Sequence, residues 1–326
     1  LTIQAQWSYS GNRYWTPNSN TASGHYSTAM GFYTTASGDY STAMGYGTTA
    51  SADNSTAMGR STTASGRFST AMGYYTIASG YNSTAMGISS TASGGNSTAM
   101  GYLTKATGDY STAMSRSTTA SGNASTAMGY VTTASGDYST AMCRSTTASG
   151  YSSTAMGYGT TASGRFSTAM GYYTIASDFA STVIGQYNSS GSTATSATSF
   201  DTLAPAFVIG NGVDASNKSD AFSVLFNGNT TIGGSLTLNG TEITATGTEL
   251  NYVDGVTSSI QTQLDSKQIA ITGAATTIVT NDLTTSKALV SDANGKVAAS
   301  DITSTELGYV DGVTSSIQTQ LDSKQI

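Results

Sequence analysis

Residues able to do acid–base, nucleophilic or metal chemistry are few in this 326-residue chain, and their spacing points away from catalysis. There is one histidine, His25, and one cysteine, Cys143. A general base or an activated nucleophile needs a partner within hydrogen-bond reach, and no cluster of suitable residues converges on either. Asp39, Asp53, Asp109 and Asp137 share a column of a 14-residue repeat but stand one, four and two steps apart, too irregular for a ladder of metal ions. Asp254-Gly255 and Asp311-Gly312 lack the remaining oxygen ligands of a calcium loop. Cys143 forms no disulfide framework; it occupies a glycine position, as a neutral substitution would. The expectation is no enzyme, no cofactor and no metal.

The chemistry on offer is that of contact. Tyr46, Arg60, Tyr74, Tyr102, Arg116, Tyr130, Arg144, Tyr158 and Tyr172 each follow a Met-Gly or its equivalent, and Phe32 and Ile88 fill the remaining places. A second column holds His25, Asp39, Arg67, Tyr81, Asp109, Asp137, Tyr151 and Arg165, followed by Tyr26, Tyr40, Phe68, Tyr110, Tyr138 and Phe166. At turns such side chains are exposed, and Tyr and Arg are typical of binding surfaces. The ladders would stack on glycans or meet a host surface; the alternative is that they shield the backbone of a thin fold, and the two can coexist.

The elements that position these columns follow from the period. Methionine recurs at every fourteenth residue from Met30 to Met170, Ile184 takes the next slot, and these are all 11 methionines of the chain. Alanine recurs at half that interval, from Ala22 to Ala176. A strict period marks a repeat architecture, and 14 residues suit one coil of a β-solenoid: two strands of about four residues and two glycine turns. Thr, Ser and Gly disfavour helix. Collagen is excluded, since Gly does not recur every third residue and Pro appears only twice. Alternation faces the Ala columns into a thin lumen and puts Thr and Met outside. An exposed methionine stripe is too apolar to stand alone. Thr28, Met30, Met44, Met58, Met72, Met86, Met100, Met114, Met128, Met142, Met156, Met170 and Ile184 are therefore expected to pack against other copies of the chain, two-fold or three-fold packing remaining open.

Ser27-Thr28-Ala29-Met30-Gly31, with its half-coil ending in Gly, resembles the YadA-like head repeat of trimeric autotransporter adhesins, Met standing for the usual Ile and Thr for Val. The resemblance covers Thr21 to Gln186. It implies a left-handed parallel β-roll, a homotrimer, and an extracellular place on a bacterial surface or a phage virion. Four positions depart from the pattern: Ala52 and Asp178 replace the half-coil Gly, and Ser115 and Cys143 replace the Gly after Met. These turns are expected to be altered without loss of register.

The chain divides by pattern. Residues 1–20, with Trp7, Tyr9, Tyr14 and Trp15, suit an aromatic cap or a sugar-binding platform; residues 21–188 form the head, at about 4.8 Å per coil roughly 55 to 60 Å long. Residues 189–247 form an irregular and β transition, with Phe207 to Gly212 and Ala221 to Asn229 as closing strands. Residues 248–268 and 305–326 carry one phrase twice, 57 residues apart, with Leu250, Val253, Thr257, Ile260 and Leu264, and Leu307, Val310, Thr314, Ile317 and Leu321, at heptad spacing. Short coiled-coil clamps in the trimer interface are expected there, separated by a small β module over 269–304, where Asn294-Gly295 signals a turn. Both this phrase and the transition resemble phage and bacterial tail-fibre-like stalks. The fold class is all-β: a solenoid followed by a β and coiled-coil stalk.

Charge excludes nucleic acid as a partner: the net is −6, the roll is near neutral, and from Asp201 onward five Lys face thirteen acidic residues. No signal peptide or membrane span is present, so no membrane contact is expected in this stretch. A start at Leu1 and an end on Lys324-Gln325-Ile326 read as a piece of a longer protein. The function expected is a trimeric fibre whose head attaches to a glycan or host-surface protein. A purely structural spacer is one alternative. Ice binding by outward pairs such as Thr49/Ser51, Thr63/Ser65 and Thr119/Ser121 is another, although Ile77, Lys105 and Ile175 interrupt their column.

Overall fold

In a computed structural model describing residues 20–254, 256, 258–271, 284–295 and 297–325, the repeat forms a two-sheet solenoid. Each coil gives a two-residue strand, such as Thr35–Ala36, and a five-residue strand, such as Thr42–Tyr46. The short strands stack into a 12-stranded sheet and the long ones open a 15-stranded sheet. Coils pair in parallel with like opposite like: Thr42 with Thr56, Ala43 with Ala57, Met44 with Met58, Gly45 with Gly59. The unequal lengths correct the expectation of two similar strands. The long strand does not end at its glycine; it runs through Gly45 at φ 124° to Tyr46.

Alternation puts both alanine columns inside, fully buried from Ala36 to Ala176. Two hydroxyl columns share the lumen with them, one through Thr34, Thr48 and Thr62, the other through Ser41, Ser55 and Ser69. Burying a methyl contributes only about 0.8 kcal/mol, so the lumen is a thin core. Ser27, Ser55, Ser83, Ser125, Ser153 and Ser181 return their hydroxyls to the carbonyl three residues back.

Glycine is required here chiefly for closeness. A Cβ on Gly38 would stand 2.0 Å from the carbonyl oxygen of Ala52 in the next coil, although Gly38 has no positive φ. The left-handed turn positions belong instead to other residues: Tyr40 (φ 57°), Phe68 (60°), Leu103 (56°) and Val131 (54°). Ser115 and Cys143, in the column of Gly45, sit at φ 89° and 84°, where the glycines from Gly31 to Gly171 span 111° to 130°. Register is kept through both, so these turns are altered as expected and the ladder is unbroken.

Asparagine stands in the Thr34 column at Asn20, the first described residue, and at Asn188, beyond the last short strand. Asn20 donates to the Gly31 carbonyl (2.7 Å) and accepts from the backbone N–H and hydroxyl of Thr34. Asn188, almost fully buried, accepts from the Ile175 N–H (2.8 Å) and donates to the Ile175 and Ser190 carbonyls. Beyond it the long sheet gains one more parallel rung, Pro205–Asn211, in which Val208, Ile209 and Gly210 align with Val183, Ile184 and Gly185. The antiparallel strands Asp220–Leu225 and Thr230–Ile232 then cover its edge. Asp178 explains its own departure from glycine: its buried carboxylate accepts from the N–H groups of Thr195 and Ser196 (2.8 Å to the latter) and ties down the connecting loop. A small hairpin, Leu236–Leu238 with Thr241–Ile243, ends this unit.

The second unit, Thr244–Ile326, is described by itself. The expected heptad helices are corrected. Each phrase breaks into two helices, Gly247–Asn251 with Ile260–Ile271, and Ser304–Gly308 with Ile317–Asp322. Val253 and Val310 fall in the turns between, so the three–four spacing does not run along one helix. The cause is local: Thr246 with Glu249, and Thr303 with Glu306, form capping boxes that start a single turn, and Tyr252 and Tyr309 cap these turns at their C-terminal ends. Between the phrases Lys287–Ser291 and Val297–Thr303 pair as a hairpin. The Trp7–Trp15 cap, Gly255, Thr257 and Ile278-Val279 lie outside the described residues.

Candidate functional site

The long strand runs through each Gly45-type residue to the rim of the long sheet, where the next side chain meets its equivalents above and below. Phe32 opposes Tyr46, Tyr46 opposes Arg60, Arg60 opposes Tyr74, and the register continues through Tyr172 and Gln186. Every one of the nine ladder residues read from the sequence stands in this line. Arg60 lies over Tyr46 and Tyr74 at 5.5 and 5.4 Å from the ring centres. Arg116 sits between Tyr102 (5.7 Å) and Tyr130 (5.2 Å), and Arg144 between Tyr130 (5.5 Å) and Tyr158 (5.1 Å). Tyr158 stacks on Tyr172 at 5.2 Å with 26° between planes.

This geometry alters the chemistry expected of the ladder. Ring faces point along the roll and are covered by the neighbouring coil, so they are not free to stack on a sugar. Edges, phenol oxygens and guanidinium N–H groups face outward; Tyr46, Tyr102 and Tyr172 remain 44–48% exposed. Tyr33, Tyr75 and Tyr173, in the left-handed turn just beyond, pack edge-on against the same ladder, a contact the sequence reading missed. A hydrogen bond with Tyr158 first, and desolvation second, push the Tyr173 phenol above its usual range and keep it a neutral donor.

The opposite rim has another character. Asp39, Asp109 and Asp137 turn back one coil, accepting from the backbone N–H of His25 (2.8 Å), Gly95 (2.7 Å) and Asn123 (2.8 Å). That hydrogen bond from the His25 backbone, then one from its side chain, holds the Asp39 carboxyl below the ordinary range. Arg67 faces Asp53 at 3.9 Å, and Arg165 covers Tyr151 and Phe166. The aspartates are thus occupied by the fold, and among the described residues no group of His, Cys, Asp or Glu is placed to hold a metal ion.

The Thr/Met columns lie on the outer face of the long sheet, with Thr42 and Met44 half-buried and Met30 exposed at the first coil. Leu250, Val253, Ile260, Leu264, Leu307, Val310, Ile317 and Leu321, from the two C-terminal phrases, are all exposed in the single chain. No described helix is long and apolar enough to cross a membrane.

No curated protein matches the chain in sequence. The family described as YadA head domain repeat (2 copies) matches residues 22–48, 50–76, 78–104, 92–114, 120–142 and 148–174, the longer matches spanning about two coils each. Residues 22–174, with their parallel 14-residue coils and two rims, are consistent with a YadA-like head.

Proposed function

We propose that the chain is a non-catalytic, homotrimeric fibre protein, displayed on a cell or virion surface, whose roll is an adhesive head. The observation that carries this reading is the exposed Tyr/Arg rim: contact residues repeated coil after coil along one edge of the roll. The half-buried Thr/Met face supports assembly, since a continuous methionine stripe gains by burial against a copy of itself. Three-fold closure rests on the likeness to YadA heads. The exposed apolar residues of the two C-terminal phrases would meet their equivalents in the same trimer.

The experiment has two arms. Light scattering on the purified chain should give three times the chain mass, and replacing Met86, Met100 and Met114 by Asp should abolish assembly; a monomeric parent would sink the trimer, and a trimeric variant would sink the assigned face. Binding of the intact assembly to an array of glycans and matrix proteins tests adhesion. Silence across the array favours the spacer, a reading that draws support from the opposite rim, whose aspartates serve the backbone.

A further inference from the structure

Charge is segregated between the two rims of the roll. The rim at the end of the long strands carries Arg60, Arg116 and Arg144 and no acidic residue in either of its two columns. The opposite rim carries Asp39, Asp53, Asp109 and Asp137 against Arg67 and Arg165. Among the described residues the three arginines of the first rim make no salt bridge, their planes being held between tyrosine rings instead. A guanidinium covered on both faces is oriented in advance and offers its N–H edge outward, the geometry that grips a carboxylate or sulfate. Arg116 and Arg144 stand two coils apart, about 10 Å at the ordinary strand spacing, with the Tyr130 phenol between them. The repeat is one of donor, hydroxyl, donor along a straight edge.

We propose that this rim binds an acidic polysaccharide, lying along the roll with its anionic groups on Arg60, Arg116 and Arg144 and its hydroxyls on the intervening phenols. The proposal rests on the adhesive reading above and specifies its ligand. Ring stacking on a neutral sugar is disfavoured, because the ring faces are already covered. A nucleic acid would find only isolated charges, with no basic stripe to follow its phosphates.

The test is binding of the intact chain to dextran sulfate, with uncharged dextran and double-stranded DNA of equal length as companions. Dextran sulfate alone should bind, weakening roughly 20- to 40-fold between about 50 and about 200 mM salt if some three charges are released per protomer. Arg60→Gln, Arg116→Gln and Arg144→Gln together should remove at least nine-tenths of that affinity, while Arg67→Gln with Arg165→Gln leaves it unchanged. Equal loss from both sets would show charge alone at work, and equal binding of DNA would mark the rim as unselective; either overturns the proposal. Binding of the parent and the triple variant alike to neutral glycans or matrix proteins would overturn it while leaving adhesion standing. Light scattering on the triple variant guards the assignment: a change of mass would place the rim in the assembly interface and sink it.

Discussion

Replacing Ser115 and Cys143 by glycine should stabilise the roll. Both stand in the column where a glycine passes the next coil, and a Cβ built on Gly101 or Gly129 would lie 2.0 or 1.9 Å from the carbonyl oxygen of Ser115 or Cys143. The two side chains are admitted only because φ closes to 89° and 84°. A non-glycine residue held at such an angle costs about 1 to 3 kcal/mol. Glycine returns part of that by loosening the unfolded chain, roughly 0.5 to 1 kcal/mol. The net is about 1 kcal/mol per site. Two coils separate the sites, about 10 Å, far enough for the gains to add. The reverse change, Gly87→Ala, places a methyl 2.1 Å from the Gly101 carbonyl oxygen at φ 111° and should cost about 2 kcal/mol or more. Urea unfolding followed by far-ultraviolet circular dichroism reads both, at one protein concentration so that assembly does not move the midpoint. A Ser115→Gly midpoint at or below that of the parent, with unchanged slope, would refute the argument that closeness and φ, more than turn chemistry, place glycine in this column.

Asn188→Ala should fray the last coil alone: the Ile175 N–H loses its acceptor, and amide exchange at Ile175 should quicken by one to two orders of magnitude, about 1 to 3 kcal/mol for an unmade buried bond, while exchange at Thr91 is unchanged. Lowering the pH should unwind the single-turn helices at Gly247–Asn251 and Ser304–Gly308. The backbone hydrogen bonds from Thr246 and Thr303, then their hydroxyls, hold Glu249 and Glu306 below the ordinary value of 4.5. Depressed folded-state values give a stabilisation that is complete above that ordinary value and is lost as pH falls through the lower folded one. Amide shifts at Glu249 and Glu306 should follow that course, and Glu249→Gln should abolish it at the first site.

The repeat was legible because its columns are repeated often enough to expose their roles. Alanine at half the period announced two strands facing one lumen, and the Met-Gly-Tyr phrase announced the rim. The hydroxyl columns were missed: alternation from the inward Ala36 already makes Thr35 outward and Thr34 inward, and Thr34 is buried where Thr35 is only half-buried. Ring orientation was hidden, since the letters Tyr and Arg do not say whether faces or edges reach solvent; the stacking between coils does. In the second unit the three–four spacing of Leu250, Val253 and Ile260 is a true pattern that does not run along one helix. Heptad spacing counts only along an unbroken helix, and a capping box at Thr246 followed by a turn at Tyr252–Asp254 leaves too short a run.

A stack of parallel coils has no intrinsic length, because each coil presents to the next the edge it received. The Thr34 column marks the far limit of the short sheet by a change of one residue type. Threonine or serine at this place buries its hydroxyl and lets the next coil stack. Asparagine at the same place, at Asn188, has an amide that both donates and accepts, so it meets the Ile175 N–H and carbonyl that another short strand would have paired. At the far end a second device follows. Val183 and Val208 are adjacent rungs but lie 25 residues apart where the period is 14, so the long sheet gains a rung while the short sheet stops at Ile175–Ala176. The extra residues form the loop held by Asp178 and by Asp220, which accepts from the N–H groups of Ser189 and Ser190. One sheet is closed by an amide, and the other passes from parallel rungs to a hairpin laid antiparallel on its last one, so that the short strand Thr230–Ile232 becomes its edge.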